Sequence, residues 1–509
     1  MLTRLKVKGF KNLADVDVRF GAFTCIAGSN GVGKSNLFDA IRFLSDLADH
    51  SLIQSATSVR DETSDVRSIF RKYTDKATVE VNYLNEMSFE AEMIIPREGV
   101  DDLGQEAQAA ATFLEYSLKL AYRKENGFSS LGGLEIVHEE LKRVRHSKID
   151  EVLPFPHSNK WRKSVIEGGK SEPFIELEND GENRIIALHQ GGKSGGRPIR
   201  RIAKTLPRTV LSSATSAENP TVVLARNEMR SWRLLQLEPS SLRKPDNFNV
   251  LNAPVKLGED GSHLPATLYH LKQLEKNGSP TSAENKIADT YGMVATKLSQ
   301  LIEDVYSVEI DRDDQRQLLT LQVKDRNQIP YPARDLSDGT LRFLALTVIE
   351  LDPTTQGVMC LEEPENGIHP ARIPAMLELL EGIAVDVNDE AGGDNPLRQV
   401  IVNTHSPAVV QQVNDDSLLV AELRDKEVRF GCLPDTWRAN IPNIPIVLKG
   451  KLLAYLNPVA ETNVTRQDLL TEIKSEIERN KIKKRRVIDR EDLKQFLLFP
   501  QEELERLNG

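Results

Sequence analysis

The segment that most constrains this chain is a glycine-rich loop, Gly28–Ser35, which reads G-S-N-G-V-G-K-S. The short apolar run Phe23–Ala27 comes directly before it and predicts a buried strand that ends at the loop. After the loop, the apolar residues within 36–44 recur at helical spacing. This order of strand, loop and helix fits the pattern G-x-x-x-x-G-K-[ST] and predicts a phosphate-binding loop in an α/β fold.

The residue types of this loop suit the phosphates of a nucleotide. Glycines let backbone N–H groups converge on phosphate oxygens without Cβ clashes. Lys34 can reach the β- and γ-phosphates, and the Ser35 hydroxyl can ligate Mg²⁺. A glycine-rich turn with a chance Lys-Ser pair is the alternative, and the flanking strand and helix argue against it. We therefore predict an ATP-Mg²⁺ site whose binding residues include Gly28, Asn30, Gly31, Gly33, Lys34, Ser35 and Asn36.

Two adjacent acids follow a second apolar run. Val358–Leu361 predicts a buried strand, and Glu362 and Glu363 come directly after it. An acid at a strand end beside a phosphate loop can hold Mg²⁺, usually through water, and we assign this role to Glu362. Glu363 would then orient or deprotonate the attacking water. The alternative is a solvated acidic loop, which the apolar strand and the order of the motifs disfavour.

Two shorter motifs have weaker signals. Leu336–Gly339 precedes a long apolar helix pattern, and Thr404 and His405 follow an apolar run that predicts another strand. In isolation, Ser337 is best interpreted as a helix N-cap and His405 as a satisfied core or loop histidine. Their order and spacing among the other motifs favour a functional interpretation of both.

The order of phosphate loop, signature, acidic strand and histidine resembles that of ABC ATPases, in which Leu336–Gly339 corresponds to the LSGG-type signature. Within that superfamily the chain resembles the RecF/SMC/OLD-related ATPases. The stretches that carry the resemblance are Gly28–Asn36, Leu336–Arg342, Glu362–Pro370, Thr404–Pro407, Leu237–Pro245 and Gly258–Leu264.

The resemblance implies a head-to-tail dimer in which each ATP lies between the phosphate loop of one head and the signature of the other. The Ser337 hydroxyl and Gly339 N–H would bind the γ-phosphate across the interface. His405 would be the switch histidine that touches the γ-phosphate, and with Glu363 and Lys34 it completes the predicted catalytic set. ATP would hold the dimer together, and hydrolysis would release it.

Three positions concern the fit to the family. Glu362 stands where most ABC proteins have Asp, although the closer relatives also use Glu. Gln54 is the nearest candidate for the family's Mg²⁺-binding Gln, with an ordinary surface residue as the alternative. Arg71 belongs to a segment that resembles Phe-Arg-Arg in relatives, and it is a candidate contact for nucleotide or DNA.

The predicted fold class is α/β, an ABC-ATPase head made of a mixed phosphate-loop sheet with helices and an antiparallel β subdomain. The N-terminal half of the head is expected over 1–206, a largely helical insertion over 207–310, the C-terminal half over 311–432 and a short C-terminal extension over 433–509. Within the insertion, Leu264–Leu274 and Ala283–Val305 are expected to be helical.

Composition limits the class and the compartment. A chain of 509 residues with 39% hydrophobic and 28% charged residues is typical of a soluble globular protein. No apolar run approaches the roughly 20 residues of a membrane span, and no signal peptide is apparent, so we expect a cytoplasmic protein without a membrane partner. The three cysteines are expected to be reduced core residues.

The partners are less constrained than the chemistry. A net charge of −10 argues against nucleic-acid binding by the whole molecule, although the basic segments Lys193–Arg208 and Lys481–Arg486 could contact DNA or an acidic partner. Solvated loops are the alternative for both segments. Leu418–Asp425 lacks the acidic layout of a TOPRIM nuclease, so we expect any effector to be encoded separately.

The leading biological hypothesis is an anti-phage defence ATPase that controls such an effector, a nuclease or a toxin. In this respect the chain resembles the stand-alone ATPase subunits of two-gene systems such as Septu and PARIS. A RecF-like ATPase that binds DNA in repair is one alternative, and an ATP-gated scaffold with little turnover is another.

Overall fold

In a computed structural model of this chain, the described residues are 1–59, 65–74, 81–123, 133–144, 152–168, 173–180, 183–189, 196–215, 218–252, 255–277, 289–302, 304–424 and 427–456. The basic stretch Lys481–Arg486, the rest of the expected extension beyond residue 456, and Lys193 lie outside them. Met1–Leu456 forms one compact unit. The division of the chain at residues 206, 310 and 432 stays a prediction.

Strands predominate in the first part of the described chain, and helices become frequent after residue 220. The strands are β1 (Leu2–Phe10), β2 (Leu13–Arg19), β3 (Phe23–Ala27), β4 (Lys72–Thr74), β5 (Val81–Tyr83), β6 (Glu86–Ile94), β7 (Glu98–Val100), β8 (Glu106–Gln108), β9 (Phe113–Arg123), β10 (Gly133–Arg143), β11 (Ile175–Asp180), β12 (Asn183–Leu188), β13 (Ile199–Ile202), β14 (Arg233–Leu235), β15 (Asp246–Asn247), β16 (Val305–Asp313), β17 (Leu318–Asp325), β18 (Pro330–Pro332), β19 (Gly357–Glu362), β20 (Arg398–Thr404), β21 (Leu418–Arg424) and β22 (Glu427–Gly431). The α-helices are Lys34–Leu47, Leu52–Ser58, Asn159–Val165, Pro220–Arg230, Pro239–Leu242, Leu264–Asn277, Thr290–Ser299, Asp338–Leu351, Ile373–Ile383, Pro407–Gln412 and Lys449–Leu456.

A six-stranded sheet carries the phosphate loop, and its strand order is β14-β19-β20-β3-β21-β22. Its first five strands are parallel to one another, and β22 is antiparallel to β21. Every residue of β3 and of β20 is buried. Parallel strands are covered on both faces, which explains why β3 appears in the sequence as a continuous apolar run.

The second large sheet is antiparallel and has eight strands in the order β13-β12-β11-β10-β9-β6-β1-β2. Its apolar face, which includes Leu5 and Val7, belongs to the same core as the helix that follows the phosphate loop. The Phe43 ring of that helix lies 5.7 Å from the Phe10 ring and 5.5 Å from the Phe89 ring, measured between centroids. The antiparallel sheet therefore anchors the phosphate-loop helix.

A third layer combines helices with a four-stranded sheet formed by β15, β16, β17 and β18. Leu268, Leu298, Leu321 and Leu344 come from four different elements of this layer and share one apolar core. The predicted α/β head, with its mixed sheet, antiparallel subdomain and helical insertion, is thus confirmed.

One helix prediction was too long. The described residues from Ala283–Val305 form a helix only over Thr290–Ser299. Val305 instead begins β16 and pairs with Asp325, since the strand 305–313 forms an antiparallel ladder with β17. The three cysteines are buried and unpaired, as predicted. None of the helices in the described residues is both long and apolar enough to cross a bilayer.

Candidate functional site

Three sequence motifs meet at the carboxyl-terminal edge of the parallel sheet. β3 leads into Gly28–Ser35, β19 ends at Glu362 and β20 ends at Thr404. Because β20 lies between the other two strands, Asn403 is in register with Glu362, and Thr404 with Ala27. The parallel register therefore brings segments that are distant in sequence to one edge, where ligands of open α/β sheets bind.

Two glycines give the phosphate loop its shape. Gly31 has a φ of +77° and Gly33 a φ of +114°, in the region that favours glycine. A Cβ on Gly33 would also lie 2.3 Å from Nδ2 of Asn12 and 2.6 Å from a methyl carbon of Val428. The helix that follows begins at Lys34 and has no acidic residue in its first turn, so its positive dipole end suits an anion.

The Lys34 ammonium is held inside the loop. Its side chain is buried, and Nζ donates to the carbonyl oxygens of Gly28 at 2.7 Å and Ser29 at 2.9 Å. Burial lowers the pKa of Lys34, whereas the nearby carboxylates of Glu363, Glu365 and Glu362 raise it. The ammonium thus lies between the loop carbonyls and the acidic edge of β19.

A pocket of about 560 Å³ opens between the phosphate loop and the loop that follows β19, residues 363–369, which we call the acidic loop. Its lining residues are Asn30, Gly31, Gly33, Lys34, Ser35, Asn36, Leu235, Gln236, Leu237, Glu238, Arg342, Leu346, Leu361, Glu362, Glu363, Pro364, Asn366 and Asn403. Most of the predicted site residues are therefore brought together, including both acids. Gly28, Ser337, Gly339 and His405 are not among the lining residues.

Glu363 is oriented by several contacts at once. Its backbone N–H donates to the carbonyl and to the side-chain oxygen of Asn403, each at 3.1 Å. Its carboxylate accepts from Nδ2 of Asn366 at 2.9 Å and lies 2.6 Å from Nδ1 of His405. Glu363 also has a φ of +45°, a conformation that a non-glycine residue keeps only when its surroundings impose it. Such over-determined residues often occur at functional sites.

The structure gives His405 a contact that the sequence did not predict. Its imidazole Nδ1 approaches the Glu363 carboxylate, and its contact with a γ-phosphate stays a prediction. A charged or hydrogen-bonded neighbour at this distance holds the carboxylate in one orientation. His405 therefore belongs to the site through Glu363.

Within the signature, Ser337 and Asp338 are exposed, whereas Gly339 is buried next to the loop that follows the acids. Ser337 is exposed, and its Oγ accepts the Thr340 N–H at 3.2 Å as the N-cap of the helix Asp338–Leu351. Gly339 packs directly against that loop, since a Cβ there would lie 2.2 Å from the carbonyl oxygen of Gly367. Ser337 thus does not line the pocket of its own chain, and its exposed side chain is accessible to a second molecule.

Gln236 is a site residue that the sequence reasoning missed. It follows β14, lines the pocket, and its Nε2 lies 3.3 Å from Oε2 of Glu362. Gln54, the candidate proposed from sequence, instead forms a capping box with Ser51 at the start of the helix Leu52–Ser58. The signal that could have identified Gln236 is its place directly after a short apolar strand, since ligands bind at such strand ends.

Arg342 and Glu365 were also missed. Arg342 lines the pocket from the signature helix and donates to the carbonyl oxygens of Leu237 at 3.1 Å and Asn366 at 2.5 Å. Glu365 is buried and accepts the Thr404 hydroxyl, and burial raises the pKa of its carboxyl group. Both residues lie in stretches that carry the family resemblance, but their contacts could not be predicted because they depend on how distant segments pack.

Comparison with known families gives one match that covers most of the chain. The family described as "AAA domain, putative AbiEii toxin, Type IV TA system" matches residues 23–411. That range contains the phosphate loop, the signature, both acids and His405.

The chain also matches curated proteins named "DNA replication and repair protein RecF". The protein of Porphyromonas gingivalis is 34% identical over 74 residues, which are 14% of this chain and 20% of that protein. The protein of Bacteroides thetaiotaomicron is 46% identical over 46 residues, which are 9% of this chain and 12% of that protein. The match to these relatives therefore spans a fifth of their length or less.

Solved structures of SMC heads resemble the chain at low scores. An SMC head bound to the C-winged helix domain of ScpA has a TM-score of 0.41 and 12% identity, over 85% of this chain and 98% of that one. The SMC head domain from Thermotoga maritima has a TM-score of 0.34 and 12% identity over the same shares.

Proposed function

The chain belongs to the family described as "AAA domain, putative AbiEii toxin, Type IV TA system", and we propose that it binds ATP with Mg²⁺ and hydrolyses ATP to ADP and phosphate. One observation carries the proposal: the phosphate loop and the two acids at the end of β19, Glu362 and Glu363, line a single pocket at the edge of a parallel sheet. The glycine N–H groups, Lys34 and the start of the helix would bind the phosphates.

The chemistry of the pocket fits Mg²⁺. The Ser35 hydroxyl, the Glu362 carboxylate and the Gln236 amide line the same space, and all three offer the hard oxygen atoms that this ion prefers. Mg²⁺ would neutralise charge on the β- and γ-phosphates. The Gln236–Glu362 contact would hold these two side chains at the place where the ion is needed.

Glu363 is proposed to be the general base. Its carboxylate would accept a proton from the attacking water, and Asn366 and His405 would keep it in the orientation that this requires. His405 would report the state of the γ-phosphate through the same contact. Lys34 would stabilise the negative charge that develops on the transferred phosphoryl group.

We further propose that two copies stack head to tail. Ser337 is exposed and does not line the pocket of its own chain, which supports a role in the site of a second copy. Its hydroxyl and the Gly339 N–H would then bind the γ-phosphate held by the partner's phosphate loop. ATP would thereby favour the dimer, and hydrolysis would favour its separation.

The biological role we propose is that of a regulatory ATPase in an anti-phage system, acting on a separately encoded effector. The family description, which includes a putative toxin and a toxin–antitoxin system, supports this choice. The local matches to RecF favour the second candidate, an ATPase that binds DNA during repair. A co-transcribed nuclease or toxin gene would support the first role, and a repair operon would support the second.

The test compares Glu363→Gln with Lys34→Ala. Glu363→Gln should retain ATP binding and lose hydrolysis by roughly 10²-fold or more, because a general base contributes at least that much. Lys34→Ala should abolish ATP binding. ATP binding is measured with a fluorescent analogue, turnover by phosphate release, and dimerisation by light scattering.

Glu98→Gln is the matched control, since this exposed glutamate lies on β7 outside the pocket. It should behave as the unmodified protein does. Normal turnover by Glu363→Gln would refute the assignment of the general base, and normal ATP binding by Lys34→Ala would refute the proposed site.

A further inference from the structure

The signature of this chain carries a negative charge at the place where a phosphate is proposed to bind. Asp338 directly follows Ser337, and about half of its side chain, 53%, is exposed. The LSGG-type signature that it resembles has glycine at this position. A carboxylate beside Ser337 would repel the γ-phosphate of an approaching partner, because like charges a few ångströms apart repel even near water.

Arg243 lies directly on this carboxylate. Its Nη2 is 2.5 Å from Oδ1 of Asp338 and 2.9 Å from the carbonyl oxygen of Leu336. These two contacts lie on either side of Ser337 in the sequence. Within the described residues, Asp338 forms no other ion pair, so Arg243 is its charge partner there.

The origin of Arg243 links this contact to the nucleotide pocket. Arg243 is the C-cap of the short helix Pro239–Leu242, which follows the pocket-lining residues 235–238. A segment that lines the pocket of one chain therefore also reaches the signature of the same chain. The contact is long-range, since Arg243 and Asp338 are 95 positions apart in the sequence.

We propose that Arg243 is a positioning residue of the signature: its guanidinium offsets the charge of Asp338, and so lets the Ser337 hydroxyl and the Gly339 N–H donate to the γ-phosphate of a second copy's ATP. This inference rests on the proposed ATP-dependent dimer. Asp338 in turn is favourable at the start of its helix, since an acid in the first turn complements the helix dipole. Because Arg243 offsets the charge of Asp338, the helix can keep this favourable acid and still bind an anion at the same end.

The experiment measures ATP-Mg²⁺-dependent dimerisation by analytical ultracentrifugation, with every variant made in the Glu363→Gln background. Arg243→Ala should weaken the dimer about tenfold or more, equivalent to roughly 1.4 kcal/mol. Arg243→Ala combined with Asp338→Asn should restore dimerisation to within about threefold of the parent, because the uncompensated charge is gone. Raising the salt concentration should reduce the penalty of Arg243→Ala, since salt screens exposed charges.

Arg334→Ala is the matched control, because this arginine precedes the signature and its side chain is 79% exposed. It should dimerise like the parent. Binding of a fluorescent ATP analogue to each variant checks that the phosphate-loop pocket is intact, and Arg243→Gln replaces Arg243→Ala if the latter does not fold.

The outcomes separate the two proposals. If the Glu363→Gln parent fails to dimerise with ATP, the proposed function fails, and this inference fails with it. If the parent dimerises and the Arg243 variant does so equally well, the inference alone is refuted. If Asp338→Asn does not rescue the Arg243 variant, the contact is structural, and the charge-offsetting role is refuted.

Discussion

Gly339 is the position at which one added methyl group should separate the signature from the acidic loop. A Cβ there would lie 2.2 Å from the carbonyl oxygen of Gly367 and 2.8 Å from its carbonyl carbon. Ordinary van der Waals contact begins at 3.4 Å, so the two backbones must move apart by roughly 1.2 Å to accept overpacking of this size. Both obstacles are backbone atoms, which cannot rotate away as a side chain could.

We expect Gly339→Ala to lower the free energy of unfolding by about 1–3 kcal/mol, the usual cost of overpacking a well-filled contact. The same shift would displace Ser337 from the position in which we propose that it meets a second copy. A misplacement of about 1 Å can reduce turnover roughly 10²-fold, and we expect a loss of that order in ATP hydrolysis.

Denaturant unfolding measures the first effect, and phosphate release at saturating ATP measures the second. Gly392→Ala is the control, because a Cβ at Gly392 would meet no atom within 4 Å. The control should stay within about 0.5 kcal/mol of the parent, as surface substitutions usually do. If Gly339→Ala matched the control in both stability and turnover, the packing argument would be wrong.

Two further predictions concern the metal and the pH dependence. Gln236→Ala should raise the Mg²⁺ concentration needed for half-maximal hydrolysis by about tenfold, because losing a contact that orients a metal ligand such as Glu362 costs about 10–100-fold in metal affinity. Nucleotide binding without Mg²⁺ should change little. An unchanged Mg²⁺ titration would contradict the role given to the Gln236–Glu362 contact. Burial raises the pKa of Glu139 from 4.5 to about 7, although the backbone N–H groups of Val210 and Leu211 favour the charged form. Because the folded state holds this proton more tightly, the contribution of Glu139 to stability is present below pH 4.5 and is lost as the pH rises to about 7. This decline in the free energy of unfolding amounts to about 3 kcal/mol, and Glu139→Gln should lack it when unfolding by denaturant is measured at several pH values across that range. A decline equal to that of the unmodified protein would contradict the prediction.

Local patterns predicted the chemistry of the site because each motif is contained in a short stretch. Gly28–Ser35 lies between a strand and a helix, and the residues directly before and after the loop predict both elements. Glu362 and Glu363 follow a run of four apolar residues. A strand that ends at a ligand-binding loop is visible in the sequence, since its residues are consecutive. The same holds for Ser337, whose N-cap interaction reaches only three residues along the chain.

Positions that depend on two distant segments could not be predicted in this way. Gln236 reaches Glu362 because β14 pairs with β19 in parallel, and no local pattern specifies which strand becomes the neighbour. Gln54 is closer to the phosphate loop in sequence, but it forms a capping box with Ser51 at the start of its own helix. Strand order is decided by burial and by connections across the whole sheet, so it belongs to the tertiary structure.

By itself, the sequence determined which residue types are available for the proposed chemistry, since glycine, lysine and paired acids act through their residue type and their immediate neighbours. The tertiary structure alone decided how these side chains are oriented and which opposite charges lie beside them. The carboxylate of Glu363 is held by His405, and the charge of Asp338 is offset by Arg243, which lies 95 positions away. Such contacts require atoms within about 3 Å of one another, and only the packing of the complete sheets and helices brings distant segments that close.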